Sequence, residues 1–239
     1  MELNNTWIHQ VYNYGLGNTI NLFPTIKLMS EHFDRPIPMY FDLRFVGDCF
    51  LDCPFIEILE TKPDHKSLFG SWLTNGRNDV PDYVNVYREV CKALPLGSEL
   101  PHTYVDKTDI EVSEKNYILF IRGSGNESAR YLESKMPRDE YYREYMTSVC
   151  SWEKYNQVFT GSENDLERSN GLFDGMPQYI GDIRKSLALI RDASYVVAND
   201  SGLAHAAGAM EKNMVILWKN TALPKNANPG KHTTIKMCR

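Results

Sequence analysis

No apolar run in this chain approaches the roughly 20 residues that a membrane-spanning helix requires. The opening residues, Met-Glu-Leu-Asn-Asn-Thr-Trp, have neither the basic stretch nor the apolar stretch of a signal peptide, so a cytoplasmic location is expected. Cysteine is scarce: five residues at 49, 53, 91, 150 and 238, odd in number and without a Cys-x-x-Cys pair. That pattern argues against a disulfide framework and a zinc site and points to reduced thiols. No internal repeat, heptad run or low-complexity tract interrupts the chain.

What is present is ordinary for a globular protein, with 42% hydrophobic and 24% charged residues. At 239 residues the chain suits two compact units of just over 100 residues each. Charge is divided unevenly between them. Residues 1–112 hold 9 Lys/Arg against 16 Asp/Glu, whereas residues 113–239 hold 17 against 15. The last 29 residues carry six basic side chains and one acid, Glu211, which makes a polyanion or nucleotide partner more plausible for the second half.

Strand-like and helix-like stretches alternate, the mark of an α/β fold with parallel sheets. Strands are expected at 7–13, 37–41, 117–121, 157–160 and 195–199, with 214–218 as the final one. Helices are expected at 19–33, with Pro24 near its first turn, and at 84–94, 137–149, 183–193 and 201–210. Residues 60–83 read as irregular, and the polar, turn-rich stretch 96–116 places a domain boundary near 112.

The most informative segment is Ala198-Asn-Asp-Ser-Gly-Leu-Ala-His-Ala-Ala207, which follows the apolar Tyr195-Val-Val. It reads as a strand ending in a polar turn that opens at once into a helix of small residues. A helix start presents unpaired N–H groups and partial positive charge, a natural seat for phosphate. Ser201 can cap that helix, and Gly202 lets an anion approach the backbone. His205 lies one turn on, and Asp200 can hold sugar hydroxyls. Three further features fall at strand ends or helix starts, where open α/β sheets bind ligands. They are Gly123-Ser124-Gly125, Gly161-Ser162 and the basic group around Lys135, which together suit an anion nest. Gly15-Leu-Gly17-Asn18 marks the corresponding junction of the first half.

Four segments, taken in order, resemble glycosyltransferase family 9, the ADP-heptose:lipopolysaccharide heptosyltransferases. They are Gly15-Leu-Gly-Asn-Thr-Ile-Asn-Leu-Phe-Pro24, Ile118-Leu-Phe-Ile-Arg-Gly-Ser124 with Lys135-Met-Pro137, Val158-Phe-Thr-Gly-Ser162, and Ala198 to His205. The resemblance implies a GT-B fold, two Rossmann-like domains (1–112 and 113–239) facing across a cleft, the second binding the donor. It implies inverting, metal-independent transfer from a nucleotide-diphosphate sugar to a saccharide acceptor, with no cofactor. Lys135, Ser201 and Gly202 match residues that contact the donor phosphates, and Asp200 matches an acid beside the donor sugar.

Two departures follow from the same comparison. The resemblance implies an Asp as catalytic base where this chain has Asn18, and an amide cannot accept a proton at neutral pH. Asp42, at the end of the second strand, is the preferred substitute, with a turn-capping role the plain alternative. The chain is also short for the family, and most of its last crossing helix has no counterpart after Arg239. Two other readings stay open: a phage-type DNA glycosyltransferase acting on a hydroxymethylated base, favoured by the basic tail, and a nucleotide-sugar-binding protein that has lost transfer. An epimerase reading lacks its pattern of acidic residues.

Overall fold

The computed structural model describes residues 8–10, 15–64, 90–91, 108–123, 136–147, 154–219 and 232–238. The chain divides into two compact units, Met1–Asp106 and Lys107–Arg239, a division six residues before the expected one at 112. The reason is visible in the first residues of the second unit. Arg191 donates to the carbonyls of Thr108 and Ile110, and Arg184 pairs with Asp109 at 3.4 Å, so residues 108–110 belong to the second unit.

In the first unit, strands β1 (Ile8–Gln10), β2 (Ile37–Phe41) and β3 (Ile56–Ile58) form a parallel sheet in that order. Helix α1 (Leu16–Phe33) links β1 to β2, and the short α2 (Arg44–Asp48) follows β2. The Gly15–Gly17 turn expected from sequence is instead the opening of α1, with Gly15 as its N-cap. Pro24 lies in the helix interior rather than the first turn. There it removes the N–H that would bond Ile20, a cost that α1 tolerates because Ile20, Phe23 and Ile26 are fully buried. Phe23 also stacks on Phe50 at 6.1 Å.

The second unit is a six-stranded parallel sheet in the order β6-β5-β4-β7-β8-β9. Its strands are β4 (Tyr117–Ile121), β5 (Asn156–Gly161), β6 (Gln178–Ile180), β7 (Tyr195–Asn199), β8 (Met214–Trp218) and β9 (Thr233–Met237). The described helices between them are α3 (Asp139–Thr147), α4 (Glu163–Glu167), α5 (Ile183–Asp192) and α6 (Gly202–Ala209). The interior strands β4 and β8 are buried at every residue, as their unbroken apolar runs require of a sheet covered on both faces. Phe173 centres the core on one face, stacked on Phe159 at 4.3 Å and edge-on to Tyr142 of α3 at 6.0 Å. On the other face Tyr117 reaches α5 through a 2.6 Å bond to the carbonyl of Leu189.

Both edge strands of this sheet escaped the sequence reading. β6 has three residues, and β9 (Thr-Thr-Ile-Lys-Met) lacks a buried face, so neither carries a hydrophobic run. β9 also changes the meaning of the basic tail. Lys236 pairs with Glu144 of α3 at 2.6 Å and lies over the rings of Tyr141 and Tyr145. Lys212 donates to the carbonyl of Arg191. Both cations therefore serve the fold, while 225, 231 and 239 lie outside the described residues.

Two outcomes follow from this core. Phe173→Ala should lower unfolding free energy by about 3–5 kcal/mol in urea titration, the cost of a large aromatic cavity. Burial pushes the Cys238 thiol up to about 11. At pH 8 roughly one in a thousand Cys238 side chains is then thiolate, against roughly a quarter for an ordinary cysteine. Alkylation followed by peptide mass spectrometry should find Cys238 slow in the native protein and as fast as its peers in denaturant.

Candidate active site at the carboxyl edge of the larger sheet

The chain runs outward from β4 through β5 to β6, then returns to place β7 on the other side of β4. In strand order β4 leads on to β5 on one side and β7 leads on to β8 on the other. Such a switch point is where open parallel sheets hold ligands.

The turn after β7 has the geometry of an anion seat. Ser201 is extended (φ −149°, ψ 165°) and caps α6, its Oγ accepting the N–H of Ala204 at 3.3 Å. The first intrahelical bond runs from the N–H of His205 to the carbonyl of Ser201, at 3.2 Å. The N–H groups of Gly202 and Leu203 therefore precede the helical ladder, at the positive end of the helix dipole. The first turn of α6 carries no acidic side chain. His205 faces back toward the turn, with Nε2 3.9 Å from Oδ1 of Asp200, and the two side chains are 11% and 12% exposed. Asp200, Ser201, Gly202 and His205 thus form one cluster.

The end of β4 is built differently. Arg122 is 7% exposed at its side chain, with Nη2 2.7 Å from Oδ1 of Asp139 and the guanidinium 5.6 Å from the Tyr142 ring centroid. Its Nε and Nη1 are buried and bond to nothing among the described residues. The N–H of Gly123 donates to Oδ1 of Asn199 at 3.0 Å, and its carbonyl accepts from Nδ2 of Asn199 at 2.8 Å. Gly123 is required by close approach. A Cβ at this position would lie 2.5 Å from Oδ2 of Asp165. Ser124 and Lys135 lie outside the described residues.

The turn at Gly161-Ser162 already holds an anion, and it is the chain's own. Asp165 is 8% exposed, and its Oδ2 accepts the N–H and the Oγ–H of Ser162 at 3.0 and 2.7 Å. Ser162 in turn caps Asp165 at 3.2 Å, a reciprocal capping box. Gly161 packs against the same side chain. The spacing Ser162-x-x-Asp165 was the sequence signal for this closed turn. Asn199, Arg122, Tyr142 and Asp165 all belong to the site's framework, and none was singled out from sequence.

In the first unit, Gly15 caps α1 without a side-chain bond, and the first turn contains no acid. Gly17 is buried inside that turn, and Asn18 is half-buried. Asp42 is exposed at the bend after β2. β1 and β2 are parallel, so Asn18 (past the end of β1) and Asp42 lie toward the same edge of the smaller sheet. Among the described residues no group of three His, Cys, Asp or Glu side chains is placed to hold a metal ion.

Three solved structures resemble this one across nearly its whole length. ADP-heptose lipopolysaccharide heptosyltransferase II from E. coli superposes with a TM-score of 0.69 at 15% identity, covering 97% of this chain and 89% of its own. A family 9 glycosyltransferase from Veillonella parvula gives 0.68 at 14%, covering 99% and 87%. The E. coli heptosyltransferase WaaC with ADP-2-deoxy-2-fluoro heptose gives 0.67 at 11%, covering 97% and 92%. These likenesses establish the GT-B fold. Comparison with curated protein sequences finds no match. The model of glycosyltransferase family 9 (heptosyltransferase) matches residues 83–238, which take in the strands, turns and cap described for the second unit, so this chain belongs to that family of glycosyltransferases.

Proposed function

We propose that this enzyme transfers a heptose-like sugar from a nucleoside-diphosphate donor to a saccharide hydroxyl, with inversion and without a metal. The observation that carries the reading is the capped start of α6, where Asp200, Ser201, Gly202 and His205 meet at the switch point of the larger sheet. ADP-heptose is named for the E. coli heptosyltransferase II structure and ADP-2-deoxy-2-fluoro heptose for the E. coli WaaC structure, and the same donor class is assigned to this chain.

In this reading the diphosphate lies against the N–H groups of Gly202 and Leu203, with Lys135 adding a full positive charge. The acceptor oxygen attacks the anomeric carbon from the side opposite the diphosphate. The bond from that carbon to the phosphate oxygen breaks, and its electron pair leaves with the nucleoside diphosphate. Preorganised N–H groups and a lysine answer the charge that builds on the leaving oxygen, the kind of stabilisation that lowers barriers most. Asp200, close to the cap, orients the sugar hydroxyls.

The acceptor proton needs an acceptor of its own. Asn18 offers hydrogen bonds but no basicity. Asp42, a carboxylate in the same unit, takes the proton, and Asn18 positions a sugar. Gly15 and Gly17 shape the opening of α1 on the acceptor side, while Gly123 and Gly161 contribute by close packing around Asp165.

Incubating the protein with ADP-heptose and lipopolysaccharide core, alongside hydroxymethylated DNA, tests the reading by mass spectrometry of the products. Sugar on the saccharide supports it, and sugar on DNA alone overturns the acceptor. Lys135→Ala should cost about 3 kcal/mol of transition-state stabilisation, the size of one preorganised donor. Ser201→Ala, which removes the cap that holds the N–H groups of Gly202 and Leu203 in place, should also slow transfer. Asp200→Asn should lower kcat more than nucleotide affinity. Wild-type rates in all three would place the donor elsewhere.

Asp42→Asn separates the two candidates on the acceptor side. Its kcat should fall about 10²–10⁴-fold, the scale of general-base catalysis, with donor affinity unchanged. A rate gain in Asn18→Asp together with full activity in Asp42→Asn would return the base to position 18.

A further inference from the structure

We infer that Asn199 is a positioning residue, holding the phosphate-binding turn Asp200–Gly202 in register with the end of β4. This rests on the donor reading above and names the group that keeps that site assembled.

The backbone ladder between β4 and β7 ends at Ile121 and Ala198. One residue further the chains part, and no main-chain pairing continues. The side chain of Asn199 takes over. Its amide meets the peptide groups of Gly123 as a neighbouring strand would, accepting at 3.0 Å and donating at 2.8 Å. Asn199 is 0% exposed, so both bonds are made out of water, where an unmade one is most costly. The hydroxyl of Tyr142 approaches the same Oδ1 at 3.4 Å, which leaves one satisfied orientation for the amide.

Gly123 is pinned from its other side by the Asp165 carboxylate, itself locked in the capping box of Ser162. Three turns at the carboxyl edge thus meet on one glycine, and Asn199 is their link to α6. Asn199 directly precedes Asp200 and Ser201, so a displacement of its Cα passes into the helix cap without a flexible joint between. Only an amide of this length supplies both functions. Aspartate at neutral pH has no donor for the Gly123 carbonyl, alanine has neither group, and serine has a single hydroxyl on a shorter stem.

The test compares full-length wild type with Asn199→Ala, Asn199→Asp and Asn199→Ser, all well below their melting temperatures. Calorimetry with ADP and with adenosine separates phosphate alignment from general weakening. Affinity for ADP should fall about 10- to 100-fold in Asn199→Ala and Asn199→Asp, the cost of a small misplacement. Affinity for adenosine should stay within about twofold of wild type, and Asn199→Ser should fall between. With ADP-heptose, the loss should appear mainly in the donor KM. Folded variants that bind ADP as wild type does overturn the positioning role, as does an equal loss for ADP and adenosine. Wild type with no affinity for ADP overturns the donor reading instead. If the alanine variant does not fold, the aspartate and serine variants decide the matter by the same ratio.

Discussion

The peptide of Gly123 is where the larger sheet turns into a site, because three otherwise independent turns converge on it. A parallel sheet cannot bind anything with its strands alone, since its backbone groups are consumed by the ladder. Ligand groups must come from the turns that follow, and turns drift unless something ties them. Here the tie is a side-chain amide against a backbone amide, closed on the far side by a carboxylate that tolerates no Cβ. The capped start of α6 inherits its position from that contact. The interaction is strong because it is buried, where competing water is absent and each unpaired group would count in full.

Charge at this edge follows the same logic of enclosure. Asp165 fills the turn after β5 with an internal anion, so that turn holds α4 in place rather than standing open. Arg122 is sunk beneath the end of β4, paired with Asp139 and laid over Tyr142. The turn after β7 has its serine cap and no acid in the following helix turn. Turns of similar sequence on either side of β4, each a small residue beside a serine, therefore differ in chemistry. What separates them is whether a carboxylate three residues on folds back into the cap.

Much of the architecture was legible. β2, β4, β7 and β8 lie at the residues expected for them, because each is a run of large apolar side chains bounded by polar turns. α5 follows its apolar stripe. The failures share a cause. β3, β6 and β9 are short or half-exposed, and α2 and α4 have five residues each, too few for a period to emerge. Pro24 was placed near a helix start by propensity, whereas tertiary burial holds it in the interior of α1.

By itself, the sequence determined the alternation of strand and helix, the capped glycine turn after Asn199 and the family to which the chain belongs. Those are local properties, written in spacing, caps and contiguous motifs. Tertiary structure decided which turns stand open and which are filled from within, and that Lys236 answers to Glu144. It also decided that Asn199, unremarkable in its own segment, faces a glycine 76 positions away. Such contacts depend on strand order, and strand order is set by which faces bury one another, a relation between segments that no single segment contains.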